Sequence, residues 1–134
     1  MTFMGQFNRL TAPISVILML VGAPVYGDQR SYTVTNETQL DGETFRGFQI
    51  FRNWCARCHG TYGQGLAAPN LAVSLNQMTK ADFMLVIGEN KITAHGSPGW
   101  SANTQVMAHR EQIYRYLKAR ADGAIGVLTP ELAQ

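Results

Sequence analysis

The chain has 134 residues, 46% of them hydrophobic and only 15% charged, with 13 glycines and two cysteines. A chain of that size normally forms one domain. The formal net charge of +2 comes from 11 Lys+Arg against 9 Asp+Glu scattered without a basic run or stripe, which lacks the electrostatic footprint of a nucleic-acid binder and excludes nucleic acid as an expected partner.

From residue 10 to residue 27 there is no Asp, Glu, Lys or Arg, and Arg9 is the one charge before that stretch. Ile14 to Val21 is a compact apolar run, and Val25-Tyr26-Gly27 places small or β-branched residues at the −3 and −1 positions of a cleavage site, the pattern of a signal peptide. Pro13, Gly22 and Pro24 interrupt the run, which falls short of the ~20 apolar residues a spanning helix needs. The expectation is therefore export to the periplasm with residues 1–27 removed. Residues 28–134 then form the mature domain, with no membrane segment. They carry 10 Lys+Arg and 9 Asp+Glu, close to neutral. A domain of roughly 100 residues buries only ~60–70% of its unfolded surface, so a component other than polypeptide is a natural addition to its core.

Asp41 can cap a helix on which Phe45, Phe48, Phe51 and Cys55 recur at spacings of three, three and four, one apolar face. Gly47 lies within it, where glycine costs about 1 kcal/mol against alanine unless another helix crosses closely. Then comes Cys55-Ala56-Arg57-Cys58-His59. Two thiols one helical turn apart can add to the two vinyl groups of a haem, and the next imidazole can reach the iron. A thioredoxin-like dithiol would instead sit at a helix start after a strand. Half a zinc site would need further ligands at close spacing, and there is no other cysteine. Covalent attachment of one haem c is the reading that fits, with Cys55 and Cys58 as attachment points and His59 as iron ligand.

Gly60-Thr61-Tyr62-Gly63-Gln64-Gly65 follows. No strand precedes these glycines and their spacing is not that of a dinucleotide fingerprint, so they predict a loop curling round a flat cofactor. Thr79-Lys80-Ala81-Asp82 predicts a capping box for a short helix with Phe83, Val86 and Ile87 on one face, stopped at Gly88. A longer helix is predicted from Asn103 or Thr104 to Asp122-Gly123, with Val106, Ile113 and Leu117 on one stripe, Met107 and Tyr114 beside it, and Glu111 four residues before Arg115. His109 is expected to face solvent. No hairpin signal, repeat or low-complexity tract is present, which makes the expected fold all-α.

On Gly47, Phe51, Cys55, Cys58, His59, Pro69-Asn70-Leu71 and Ile113-Tyr114-Arg115-Tyr116-Leu117, the chain resembles the class I cytochromes c over essentially its whole mature length. The resemblance implies three main helices around one covalently bound haem, with first and last helices crossing at Gly47 under Tyr114 or Tyr116. It also implies that the Pro69 carbonyl accepts the Nδ1–H of His59, orienting the ring. Ala68 to Leu71, Ser74-Leu75, Asp82-Phe83 and the string Ile113 to Ala124 are similar, more narrowly, to the periplasmic cytochromes that take electrons from quinoprotein (PQQ) alcohol or methanol dehydrogenases.

That family supplies its sixth iron ligand from a Met-Pro-x-aromatic segment shortly before the last helix. The matching segment here is Ser97-Pro98-Gly99-Trp100, with serine in place of methionine. His95, next to Gly96, is the first candidate for the distal ligand, because imidazole binds haem iron well. Met107 is second, Met78 and Met84 are remoter choices whose ordinary role is packing, and an open position is the alternative. Trp100 is expected at a haem edge. The expected function is a monohaem electron carrier, not an enzyme, taking single electrons from a quinoprotein dehydrogenase toward a downstream cytochrome or oxidase. A haem sensor or weak peroxidase with an open iron position, and a relay subunit of a larger complex, are the alternatives.

Overall fold

The computed structural model describes Met1 and residues 30–89 and 99–134; the proposed signal segment of residues 1–27, beyond Met1, and His95, Ser97 and Pro98 lie outside the described residues. Helix α1 spans Gly42–Trp54. Asp41 starts it by accepting the Thr44 N–H at 3.0 Å and the Thr44 hydroxyl at 2.7 Å, which satisfies an N–H that has no partner inside the helix. Short helices α2 (Ala56–His59) and α3 (Leu71–Leu75) flank the glycine loop. Helix α4 covers Lys80–Gly88 and opens with the capping box of Thr79 and Asp82. After α5 (Thr104–Ala108) comes α6 (Arg110–Ala121). The long α1 and α6 form the main pair, with α3 and α4 also packed on α6.

A Cβ placed on Gly47 would lie 1.9 Å from the Gln112 carbonyl oxygen and 2.4 Å from its carbon, so α1 and α6 touch backbone to backbone and no side chain fits between them. The resemblance implied an aromatic on this glycine. The nearest atoms are instead the Gln112 and Ile113 backbone. Tyr116 packs one turn along, with ring centroids 5.2 Å from Phe48 and 5.5 Å from Phe51, while Tyr114 packs on Phe83 at 5.4 Å. Phe51, Val106, Ile113, Tyr116 and Leu117 are almost wholly buried, each large apolar side chain contributing about 1.5–3 kcal/mol relative to exposure.

Three features depart from the sequence reading. The last helix is broken at His109, whose φ is −117° and ψ 17°. Its ring Nδ1 donates to the Gln105 carbonyl at 2.8 Å, and its own N–H turns to Val106 instead. The side chain thus takes the carbonyl that the helical N–H would have used, and His109 is half-buried rather than solvent-facing. A second departure concerns Phe83, Val86 and Ile87, read as one face: Val86 is 47% exposed while Phe83 and Ile87 are buried. The third is a small sheet. Strands β1 (Val34–Thr35) and β2 (Gln39–Leu40) pair antiparallel, and β3 (Glu131–Leu132) pairs parallel to β2. Two-residue strands are too short for alternation to reveal, and the turn between β1 and β2 places Asn36 and Glu37 at positive φ, where Glu37 gives no sequence cue.

Candidate functional site

Cys55 closes α1, its N–H bonded to Phe51 O at 2.8 Å, and its carbonyl accepts the N–H groups of Cys58 at 3.1 Å and His59 at 3.0 Å. The two cysteines form no disulfide. Burial first, and the neighbouring Cys58 second, push the Cys55 thiol up to about 12, whereas Cys58 is exposed. His59 follows at the end of α2, and its Nδ1 lies 2.8 Å from the Pro69 carbonyl oxygen. A carbonyl only accepts, so Nδ1 is the donor and Nε2 is the ring nitrogen that remains to bind a metal.

The glycine loop holds this arrangement by backbone bonds. Gly65 N–H donates to His59 O at 2.8 Å, Ala68 N–H to Cys58 O at 2.9 Å, and Leu71 N–H to Gly63 O at 2.8 Å. Gly63 has φ +75°, and a Cβ there would meet Leu117 at 3.2 Å and Phe51 at 3.6 Å; both its conformation and its packing require glycine. Asn70 caps α3 through the Val73 N–H at 3.2 Å, fixing where Pro69 stands.

Two cysteines one turn apart beside an imidazole oriented through its Nδ1 are the donor set that covalent haem attachment uses. Among the described residues no group of three His, Cys, Asp or Glu is placed to hold a metal ion. Trp100 is half-buried and meets Trp54, the residue before Cys55, edge-on at 6.2 Å between centroids. Met107 lies with Met84, Arg110 and Glu111 along a groove, its methyl 3.8 Å from where a Cβ on Gly88 would stand. Met78 is half-buried and packs on the core. His95 lies outside the described residues.

Sequence reading missed Trp54, whose exposure of 43% is unusual for so large a ring. It also gave no role to Arg120, only 9% exposed. The signal for Arg120 was its place: it continues the stripe of Ile113 and Leu117 at helical spacing, where a cation is out of keeping.

Residues 42–117 match the family described as cytochrome C oxidase, cbb3-type, subunit III. Cytochrome c-555 of Methylococcus capsulatus (Bath) is 32% identical over 119 residues, which is 87% of this chain and 86% of that protein. The chain belongs to the class I c-type cytochromes. Cytochrome c-553I of Paracoccus denitrificans is 30% identical over 102 residues, 72% of this cytochrome and 45% of that protein. Among solved structures, the c-type cytochrome XoxG of Methylobacterium extorquens AM1 superposes with a TM-score of 0.70 at 31% identity, over 75% of this chain and 65% of that one. This cytochrome thus has the class I fold and one covalently bound haem c, and it transfers electrons. Among the described residues no helix is long and apolar enough to cross a membrane.

Proposed function

We propose that this cytochrome is a periplasmic carrier that accepts single electrons from a quinoprotein alcohol or methanol dehydrogenase and passes them to a downstream cytochrome or oxidase, without being an enzyme in its own right. Cys55 and Cys58 form the two thioether bonds, and His59 is the proximal ligand. The observation that carries this is the 2.8 Å contact from His59 Nδ1 to Pro69 O beside two cysteines one turn apart that form no disulfide. The haem supplies a one-electron couple at its iron. The chain's own task is to orient the imidazole, keep water out with Phe51, Leu117 and their neighbours, and present Trp54 and Trp100 beside the attachment site. The donor assignment draws on the string Ile113 to Ala124 and on the likeness to c-555 and XoxG. Residues 1–27 direct export and are removed.

The test is stopped-flow mixing of the oxidised holoprotein with a quinoprotein methanol dehydrogenase reduced by its alcohol. Reduction at a rate that saturates with dehydrogenase is expected. Absence of reduction, with dithionite still reducing the haem, overturns the donor while leaving the carrier.

For the distal side we propose His95 as ligand. Met107 lies within helix α5, whereas the imidazole two residues before Ser97 stands beside Gly96 next to the family's ligand position and binds haem iron well. His95→Ala should convert the low-spin spectrum and admit cyanide and carbon monoxide promptly; an unchanged spectrum removes His95. The serine at position 97 also supports a second reading, a sensor with an open iron. Immediate binding of carbon monoxide by the reduced wild-type protein is its distinguishing outcome.

A further inference from the structure

Arg120 is a buried cation held by backbone carbonyls rather than by a carboxylate of the described residues. Its side chain is 9% exposed, and no carboxylate among the described residues pairs with it; the ion pairs of that surface are Lys80 with Glu111, Glu111 with Arg115, and Lys118 with Asp122. Two backbone carbonyls hold it instead. Nε donates to Tyr62 O at 2.9 Å and NH1 to Ile125 O at 2.6 Å. Desolvating a guanidinium is unfavourable unless its bonds compensate, and an apolar side chain would continue the Ile113 and Leu117 stripe more easily. The placement makes sense through what the two carbonyls belong to. Tyr62 lies in the turn closed by Gly63 N–H to Gly60 O at 3.0 Å, inside the loop that leads from His59 to Pro69. Ile125 belongs to the C-terminal tail, which touches the same loop again where the Tyr62 hydroxyl meets Thr129 Oγ1 at 2.9 Å and which ends as β3 on β2. The planar fork of arginine can span two carbonyls from one rigid group. Lysine has a single point of donation.

We propose that Arg120 is a positioning residue for the iron ligand: by clamping the loop carbonyl of Tyr62 to the tail carbonyl of Ile125, it fixes Pro69 relative to His59 and so holds the imidazole in one orientation. The inference rests on His59 being the proximal ligand. Without the clamp, the buried Ile125 carbonyl and the part-buried Tyr62 carbonyl lose their donor, and the loop relieves them by opening toward water. That motion loosens the Nδ1–H to Pro69 bond while the α1 and α6 crossing stays intact.

The experiment measures hydrogen exchange of the His59 ring Nδ1–H by NMR in the reduced holoprotein, against the Cys55 amide, which reports the α1 core through its bond to Phe51 O. Wild-type spectra first establish that His59 binds iron, so a failure of that assignment is seen before any variant is made. In Arg120→Met the ring proton should exchange at least about tenfold faster, the loss of one charge-assisted hydrogen bond, with the Cys55 amide changed much less. Ile50→Val, a core change on α1 that touches neither carbonyl, should move the two protons together. If Arg120→Met does not load haem, Arg120→Lys decides the matter: a selective acceleration of the ring proton supports the clamp. A ring proton that exchanges at the wild-type rate, or accelerates only in step with the Cys55 amide, overturns it.

Discussion

Two single atoms decide much of this site: the hydrogen that stands for a side chain at Gly47, and the proton on His59 Nδ1. Because an added methyl at Gly47 would lie 1.9 Å from Gln112 O, Gly47→Ala must push α6 away from α1. The gain of about 1 kcal/mol in helix propensity is outweighed by overpacking between two backbones, which costs about 1–3 kcal/mol and lies at the upper end where the clash is with backbone that cannot give way. A lower denaturation midpoint of the holoprotein with weakened haem retention is the expected result; an unchanged midpoint would show that the helices separate freely. Cys58→Ala should leave one thioether, seen as a red shift of the pyridine haemochrome band, with haem still bound through Cys55. The thiols and the histidine were legible in the sequence because their chemistry demands fixed spacing. For Arg120 only its odd place on the apolar stripe was legible; its partners were not, since they are carbonyls, and carbonyls are the same at every residue.

At the scale of elements, caps were readable and breaks were not. Asp41, Thr79 and Asn103 each accept the N–H three residues on, a local rule with local sequence evidence. Asp41→Ala should therefore destabilise by about 1 kcal/mol, measured by chemical denaturation. The His109 break escaped because a histidine ring competing for the carbonyl four residues back leaves no mark in hydrophobic periodicity: Val106 and Ile113 stay on the buried side across it. The small sheet escaped for a different reason. β2 and β3 are separated by almost the whole domain, and a parallel pairing of two residues is decided by where the helices deliver the chain ends.

For the whole molecule, acid stability follows from two carboxylates. Burial draws both upward, but at Asp41 the bonds from Thr44 and Thr33, and at Asp122 those from Lys118 and Tyr32, outweigh it and leave each below its ordinary value. Such groups bind their proton less readily folded than unfolded. Their contribution is therefore complete above the unfolded value of about 4 and is lost as pH falls through the lower folded values. Asp122→Asn should be less stable than wild type at neutral pH and equal to it in strong acid, by thermal melts across pH; a constant difference at all pH values would contradict the assignment. The helical frame and the attachment site could be read from one chain because helices and motifs are local. The closure of the ends could not.

That closure also sets an order of events during synthesis. Ile125 and Thr129 secure the loop behind His59 and come far after it in the chain. The Cys55 to His59 segment therefore leaves the ribosome before the segment that locks it. A nascent chain presents both cysteines to solvent, free of the burial that pushes the Cys55 thiol up to about 12. Before residues 125–132 fold back, both cysteines are therefore more accessible than in the folded protein.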